Sequence, residues 1–391
     1  MSRSEPLADA GLRLRRPGRG GTVVVAVALA AGLVLAGLGT FDYVQSEFGG
    51  TTLVVLTYPS LFGGACGGSP AFSTVFGEFA SAHDVRFDVE CPPGTAYSWL
   101  AAESGAPTAD LVIGLDEITA PQAEAAGFLV PYAPPALANV SPALVTELSP
   151  DRAAVPYEYG YLAIDYNESF YRATSGAVVN FTFPELTQKS WAPNLLLEDP
   201  QTDITGEEFL VWQIEYYEQL LHQNWTAFWT AMPSGDPPLS DSWGDAYAQF
   251  FYEGPEQMLV SYSTDPACGA DPACAPYPGA SSAFNATVSS WNGTEYGWKT
   301  IYGVGIVNGT RHLALDEAFE NWLLSGTAQA EIPTNEWEYP ANTSVALPGY
   351  FSAAVPPGSI VALNDGTTPA AVGASIAGWV ATWFSLTSGH G

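Results

Sequence analysis

From residue 51 onward, short runs of branched apolar residues alternate with segments whose apolar positions recur every three or four residues. Residues 51–57 (Thr-Thr-Leu-Val-Val-Leu-Thr) predict a buried strand, 71–82 a helix, 85–90 a strand with alternating sides, and 97–103 a second helix. Residues 109–116 (Ala-Asp-Leu-Val-Ile-Gly-Leu-Asp) predict a third strand, almost wholly apolar, that ends in the carboxylate of Asp116. Strands without a polar face, separated by helices, indicate an α/β lobe with a largely parallel sheet. Ligands of such sheets gather beyond the carboxyl ends of the strands, which is where Tyr58 and Asp116 fall.

A change of pattern follows at residues 155–166 (Val-Pro-Tyr-Glu-Tyr-Gly-Tyr-Leu-Ala-Ile-Asp-Tyr). Tyr157, Tyr159 and Tyr161 alternate with Glu158 and Gly160, which predicts a strand with three rings on one face. Gly160 permits a change of direction or a close approach, so a crossover between two lobes stands beside the plainer reading of a buried, tyrosine-rich strand. Beyond it the pattern predicts a strand within 191–199, a helix over 206–222 capped by Thr205, and a short helix over 245–251. A strand over 257–263 ends among Ser261, Tyr262, Ser263 and Asp265, followed by a strand over 299–307 and helices over 313–325 and 369–385. The last is apolar but short for a membrane span, so a packed helix is expected.

The chain has 391 residues, enough for two lobes, and 47% hydrophobic with 13% aromatic content excludes general disorder. Arg3, Arg13, Arg15, Arg16 and Arg19 precede residues 22–41, a run without any charge. That predicts a cytoplasmic basic segment over 1–21 and a membrane-length anchor over 22–41, favoured by its length over a cleaved signal peptide, the alternative, with all that follows outside the cell membrane. Beyond the run the only cations are Arg86, Arg152, Arg172, Lys189, Lys299 and Arg311, against a total of 41 acidic residues in the chain. Such a surface repels nucleic acid and anionic lipid and attracts cations, although adaptation to salt explains it as well. Asn-x-Ser/Thr sequons start at Asn139, Asn167, Asn180, Asn224, Asn285, Asn292, Asn308 and Asn342, all on the outward side, and suggest a glycoprotein. The cysteines Cys66, Cys91, Cys268 and Cys274 also lie there. A Cys268–Cys274 bridge would close a small loop and leave Cys66 for Cys91, with the connectivity open. The four histidines are scattered, so no zinc site is expected, and no cofactor is implied.

Seven ordered blocks then carry a resemblance: Leu56-Thr-Tyr-Pro-Ser60, Ala109 to Asp116, Pro156 to Tyr161, Glu198-Asp-Pro-Gln-Thr202, Trp243-Gly-Asp-Ala-Tyr247, Val260 to Pro266 and Ile332-Pro-Thr-Asn-Glu-Trp-Glu-Tyr-Pro340. Over roughly residues 51 to 387 the chain resembles the thiamine-binding proteins of thiamine ABC importers. The resemblance implies a two-lobe type II periplasmic-binding-protein fold, with 51–156 and 305–391 in the first lobe, 157–304 in the second, and ligand in the cleft. It also implies a non-enzymatic, monomeric binder of thiamine or a related cationic heterocycle, working with an ABC permease and its ATPase. By the same resemblance Trp243, Trp337 and Tyr262 are expected to stack on the ligand rings, and Tyr58, Asp116, Glu158, Tyr159 and Asp265 to hydrogen-bond it or balance its charge. Tyr161, Tyr247 and Tyr339 complete the expected set, with hinge or core packing as an alternative for Tyr247 and Tyr339 and helix capping for Asp116.

Relatives that bind phosphorylated thiamine carry Asp-Pro-Arg-Thr-Ser where this chain reads Asp199-Pro-Gln-Thr-Asp203. Losing a cation and gaining a carboxylate disfavours phosphate, so unphosphorylated thiamine is expected. The departures Pro92-Pro-Gly94 and Cys268 fall where relatives have an acidic and an aromatic residue. The competing readings are a thiaminase I-like enzyme, which requires a free Cys66 or Cys91 facing Glu158, and a binder of ferric ion or a polyamine.

Overall fold

The computed structural model describes residues 50–104, 106–175, 180–271, 274 and 284–388. The basic segment and the apolar helix expected over 1–21 and 22–41 lie outside these residues.

The first lobe-like unit starts with β1 (Thr51–Leu56), α1 (Pro70–His83), β2 (Val85–Glu90), α2 (Ala96–Ala102), β3 (Leu111–Leu115) and α3 (Thr119–Ala125). Sequence dictates α1 directly. Pro70 occupies the first turn, Ser69 accepts from the N–H of Phe72 at 3.0 Å, and Phe72, Val75, Phe76 and Phe79 bury one face. β1 pairs in parallel with both β2 and β3, as the apolar runs predict.

The long strand β4 (Val155–Asn167) leads to β5 (Leu195–Glu198), α4 (Ile204–Glu215), β6 (Leu239–Ser240), α5 (Trp243–Ala248), β7 (Met258–Tyr262) and α6 (Asp265–Ala270). The chain returns through β8 (Lys299–Val307) and closes with α7 (Leu313–Leu323), α8 (Ile332–Asn335), β9 (Tyr339–Pro340) and α9 (Pro369–Thr387). The strand order β2-β1-β3-β8-β4-β7-β5-β6 makes β4 and β8 the central, antiparallel pair that joins the two parallel groups. β9 adds to β4, with Tyr339 opposite Tyr159.

Two hydrophobic cores flank this pair. One gathers Leu53, Val55, Phe76, Phe79, Ile113, Tyr157 and Phe319; the other gathers Tyr161, Ile164, Phe183, Phe209, Trp212, Phe228 and Trp298. The C-terminal tail departs from the expected partition, because Ile360, Leu363, Val372, Ile376 and Trp383 belong to the second core, not the first. α9 lies across both units, against α3 on one side and α4 on the other. By length and apolar composition it would suffice to cross a membrane, but Val372, Ile376 and Trp383 anchor it to the protein.

Several boundaries shift for identifiable reasons. α4 begins after Asp203, whose side chain accepts from the Thr205 N–H at 2.9 Å, so Asp203 and not Thr205 is the cap. The helix beyond Glu215 widens into a π-turn over Tyr216–Leu221. Both disulfides expected from spacing are present, Cys66–Cys91 and Cys268–Cys274. Of the sequon asparagines, Asn342 is buried and donates its amide to the carbonyl of Leu324 at 3.0 Å, so it is closed to modification in the folded chain.

Candidate functional site

The register of β4 sorts the expected residues onto two faces. A bulge lies in it: Tyr302 of β8 stands opposite Glu158, yet Gly303 stands opposite Pro156, so Tyr157 is the extra residue. A bulge breaks alternation, and as a result the three rings do not share one face as the sequence pattern predicts. Tyr157 and Glu158 both reach the Tyr58 hydroxyl, whereas Tyr159 and Tyr161 lie on the opposite side with Lys299.

On the front face Tyr58 follows the carboxyl end of β1. Its ring rests against Gly114 in β3, where φ is +100° and an added Cβ would come within 2.6 Å of the ring, so glycine is required twice over. The Tyr58 hydroxyl lies 2.8 Å from that of Tyr157, 3.1 Å from Glu158 Oε1 and 3.5 Å from Glu336 Oε2. Glu336 also accepts from the Phe62 N–H. The ring of Tyr58 continues to Tyr302 at 5.9 Å, whose hydroxyl meets that of Tyr262 at 2.7 Å. Tyr262 in turn meets Thr205 at 3.1 Å. Trp243, at the start of α5, stands 6.2 Å from Tyr262 and donates its indole N–H to Ser261 at 3.0 Å. Asp203 accepts from the Trp243 backbone N–H at 3.0 Å and so fixes the ring's helix beside the cap of α4. An unbroken line of aromatic and hydroxyl groups thus runs from the first unit to the second.

Carboxyl groups crowd the same face. Glu158 is 1% exposed, and burial pushes its acid up to about 8. Glu336 and Glu338 are raised as well, first by burial and then by Glu158. Glu338 accepts from Thr264 at 2.9 Å and its other oxygen lies against Gly160, where any Cβ would collide with it. Deeper in, burial lifts Asp116 to about 6 and Glu117 to about 8, the latter also feeling Asp116. Glu117 accepts from the Trp298 indole and from the Ile301 N–H at 3.0 Å, tying β3 to the return strand. Glu208 on α4 is fully buried and neither of its oxygens has a partner among the described residues.

Of the residues expected from sequence, Tyr58, Glu158, Trp243 and Tyr262 join this face. Trp337 sits between Glu336 and Glu338 with φ at +54°, a left-handed conformation that strains a bulky residue. Asp116 instead accepts from the N–H groups of Ile118 and Thr119 at 2.8 and 2.6 Å and so holds the turn that leads into α3, whose cap position is Ile118, with Oδ2 left unpartnered. Asp265 is engaged by Ser261 and by the Tyr262 N–H, beneath the surface of the site. Tyr247 packs on Trp243 at 4.8 Å. Tyr159 and Tyr339 pack as a tilted pair at 5.5 Å on the back face and line a separate groove of about 400 Å³ with Lys299; Tyr161 is buried in the second core. The structure therefore does not bring Tyr159, Tyr161 and Tyr339 to the front. Tyr157, Tyr302, Glu336, Glu338, Glu117 and Glu208 were missed as site residues: Tyr157 stood out only as a ring of the alternating strand, and Glu336 and Glu338 only as members of the block from Ile332 to Pro340.

No protein-family model matches the chain. In sequence it is similar to curated thiamine-binding periplasmic proteins. That of Salmonella typhimurium is 25% identical over 229 residues, 59% of this chain and 62% of the relative, so less than two thirds of that relative's length is matched. That of Brucella melitensis is 25% identical over 296 residues, 74% of this chain and 78% of the relative. Among solved structures, a periplasmic thiamin binding protein matches with a TM-score of 0.69 at 21% identity, over 86% of this chain and 96% of that one. Iron-bound HitA from Pseudomonas aeruginosa matches with a TM-score of 0.62 at 15% identity, over 88% and 100%. The chain thus has the type II periplasmic-binding-protein fold, and the seven-block resemblance agrees with its sequence relatives, which are thiamine-binding periplasmic proteins.

Proposed function

We propose that the chain is an extracytoplasmic solute-binding protein that captures unphosphorylated thiamine on its front face and delivers it to an ABC importer, held at the membrane by its N-terminal apolar segment. The observation that carries this reading is the meeting of Tyr58, Tyr302, Tyr262 and Trp243 with Glu158, Glu336 and Glu338, carboxyls that form no ion pair among the described residues. Thiamine has a flat aminopyrimidine and a permanently cationic thiazolium. Rings supply stacking and cation–π attraction of about 0.5–2 kcal/mol each, and the acids supply acceptors and countercharge. The two cores on either side of β4 and β8 are read as lobes that close over the ligand. Asp203, which stands where the phosphate-binding pattern has a serine, accepts from the Trp243 backbone N–H, and an acid there disfavours a phosphate tail.

The thiaminase alternative requires a free cysteine beside Glu158, and Cys66 and Cys91 are bonded to each other. A second reading draws support from two close phenol pairs, Tyr58 with Tyr157 and Tyr262 with Tyr302, since a hard trivalent metal ion takes tyrosinate and carboxylate ligands. Equilibrium dialysis of the detergent-solubilised full chain against thiamine, thiamine pyrophosphate, spermidine and ferric citrate tests the assignment. Retention of intact thiamine in preference to the others supports it. A coloured tyrosinate–iron complex without thiamine retention moves the protein to the metal class.

A further inference from the structure

Glu336 and Glu338 flank Trp337 in a loop that enters the front face from the C-terminal part of the chain, and they surround Glu158 from a direction the β4–β8 pair does not supply. Glu158 and Glu338 are 1% and 7% exposed, and one oxygen of each is buried with no hydrogen-bond partner among the described residues. Gly160 makes room for the second of these oxygens. Three oxygen contacts converge on the Tyr58 hydroxyl, from Tyr157, Glu158 and Glu336. The Tyr58 hydroxyl donates one proton, to Glu158 at 3.1 Å, while Glu336 stands at 3.5 Å, so the two acids crowd a single donor.

We infer that Glu336 and Glu338, together with Glu158, make ligand capture proton-linked: the empty cleft holds these groups as neutral acids, and entry of the cation expels protons to solvent. In the step an O–H bond of a carboxyl breaks, the proton passes to buffer, and the carboxylate left behind pairs with the positive ring. This inference rests on the proposed binding of thiamine at the same site.

The surroundings favour it from every side. The groups facing this trio are the phenols of Tyr58, Tyr157, Tyr159, Tyr302 and Tyr339 and the acids Asp265 and Glu208, none of them cationic. Lys299 lies on the opposite face of the strand pair, bound to Glu147 at 2.8 Å and Asp365 at 3.5 Å. Burial, followed by the mutual repulsion of the acids, keeps Glu336 and Glu338 protonated above the ordinary carboxyl range. A neutral ligand gains nothing from ionising them. The device therefore discriminates for permanent positive charge, and it strengthens capture as pH rises.

The test is calorimetric titration of the full chain with thiamine at pH 7 in phosphate and in Tris, whose ionisation heats differ, repeated from pH 6 to pH 8. The expected result is release of about one proton or more per thiamine, with affinity rising roughly tenfold per pH unit for each proton released. Glu336→Gln and Glu338→Gln mimic the neutral acids and should fold normally, as melting curves of the empty proteins will show, yet release fewer protons and flatten the pH dependence. Thiamine binding with the same heat in both buffers across the range overturns the inference, as does undiminished release in both variants. Absence of thiamine binding in every buffer instead overturns the functional reading beneath it.

Discussion

The two faces of the β4–β8 pair are built from the same residue types and solve different problems. On the back, Tyr159 packs on Tyr339, Tyr339 packs on Phe351 at 5.4 Å, and Lys299 has two carboxylate partners. Ring meets ring there and charge meets countercharge, which is what a stable interior requires. On the front, the rings leave their hydroxyls in a chain, and the acids have buried oxygens without partners. A buried group without a hydrogen bond costs about 1–3 kcal/mol, so an arrangement with several of them is stable only because the rest of the fold holds it. The back face stabilises the junction, and the front face stores the demand for a ligand.

Substitutions that separate stability from binding test this contrast. The largest effect is expected on the back: Tyr339→Ala empties a 95% buried ring site and should lower unfolding free energy by about 3–4 kcal/mol, read by denaturant titration, with thiamine affinity retained. Loss of affinity without loss of stability would reverse the assignment of faces. On the front, Tyr262→Ala removes a ring and the hydroxyl link to Tyr302 and Thr205, and it should weaken thiamine by about 2 kcal/mol or more, roughly 30-fold.

A pH series distinguishes the faces next. Glu117 and Glu158 have folded acids raised to about 8, so the stability they confer is complete below the ordinary carboxyl range and is lost as pH rises through about 8. The Tm of the empty protein should therefore fall by a few degrees between pH 6 and pH 9, and Glu158→Gln should reduce the slope. A Tm that is level or rising over that range contradicts the front-face description. The smallest effect belongs to Lys299→Met, where a partly exposed ion pair is lost. About 1 kcal/mol of stability should go, with ligand affinity unchanged.

Much of this fold was legible in the sequence because its signals are local. The apolar runs at 51–57 and 109–116 became β1 and β3, and the helix expected over 71–82 became α1. The front face was legible only in part. The aromatic ends of β1 and β7 announced Tyr58 and Tyr262, but Tyr302 acquires its role from standing opposite Glu158, and antiparallel register is not written in either strand alone. The bulge at Tyr157 had the same effect in reverse, since strict alternation placed Tyr157, Tyr159 and Tyr161 on one face when one extra residue turns Tyr157 to the front and leaves the other two on the back. Glu336 and Glu338 read as ordinary polar residues in an acidic chain until the fold brought them against Tyr58 and Gly160.

The most direct test of the central claim is calorimetric titration of the full chain with thiamine and with thiamine monophosphate, run in parallel on Tyr262→Ala and Tyr339→Ala. The account predicts one thiamine per chain, weaker binding of the monophosphate, loss of affinity in Tyr262→Ala and retention in Tyr339→Ala. Failure of the unaltered chain to bind thiamine, or loss of affinity confined to Tyr339→Ala, would contradict it.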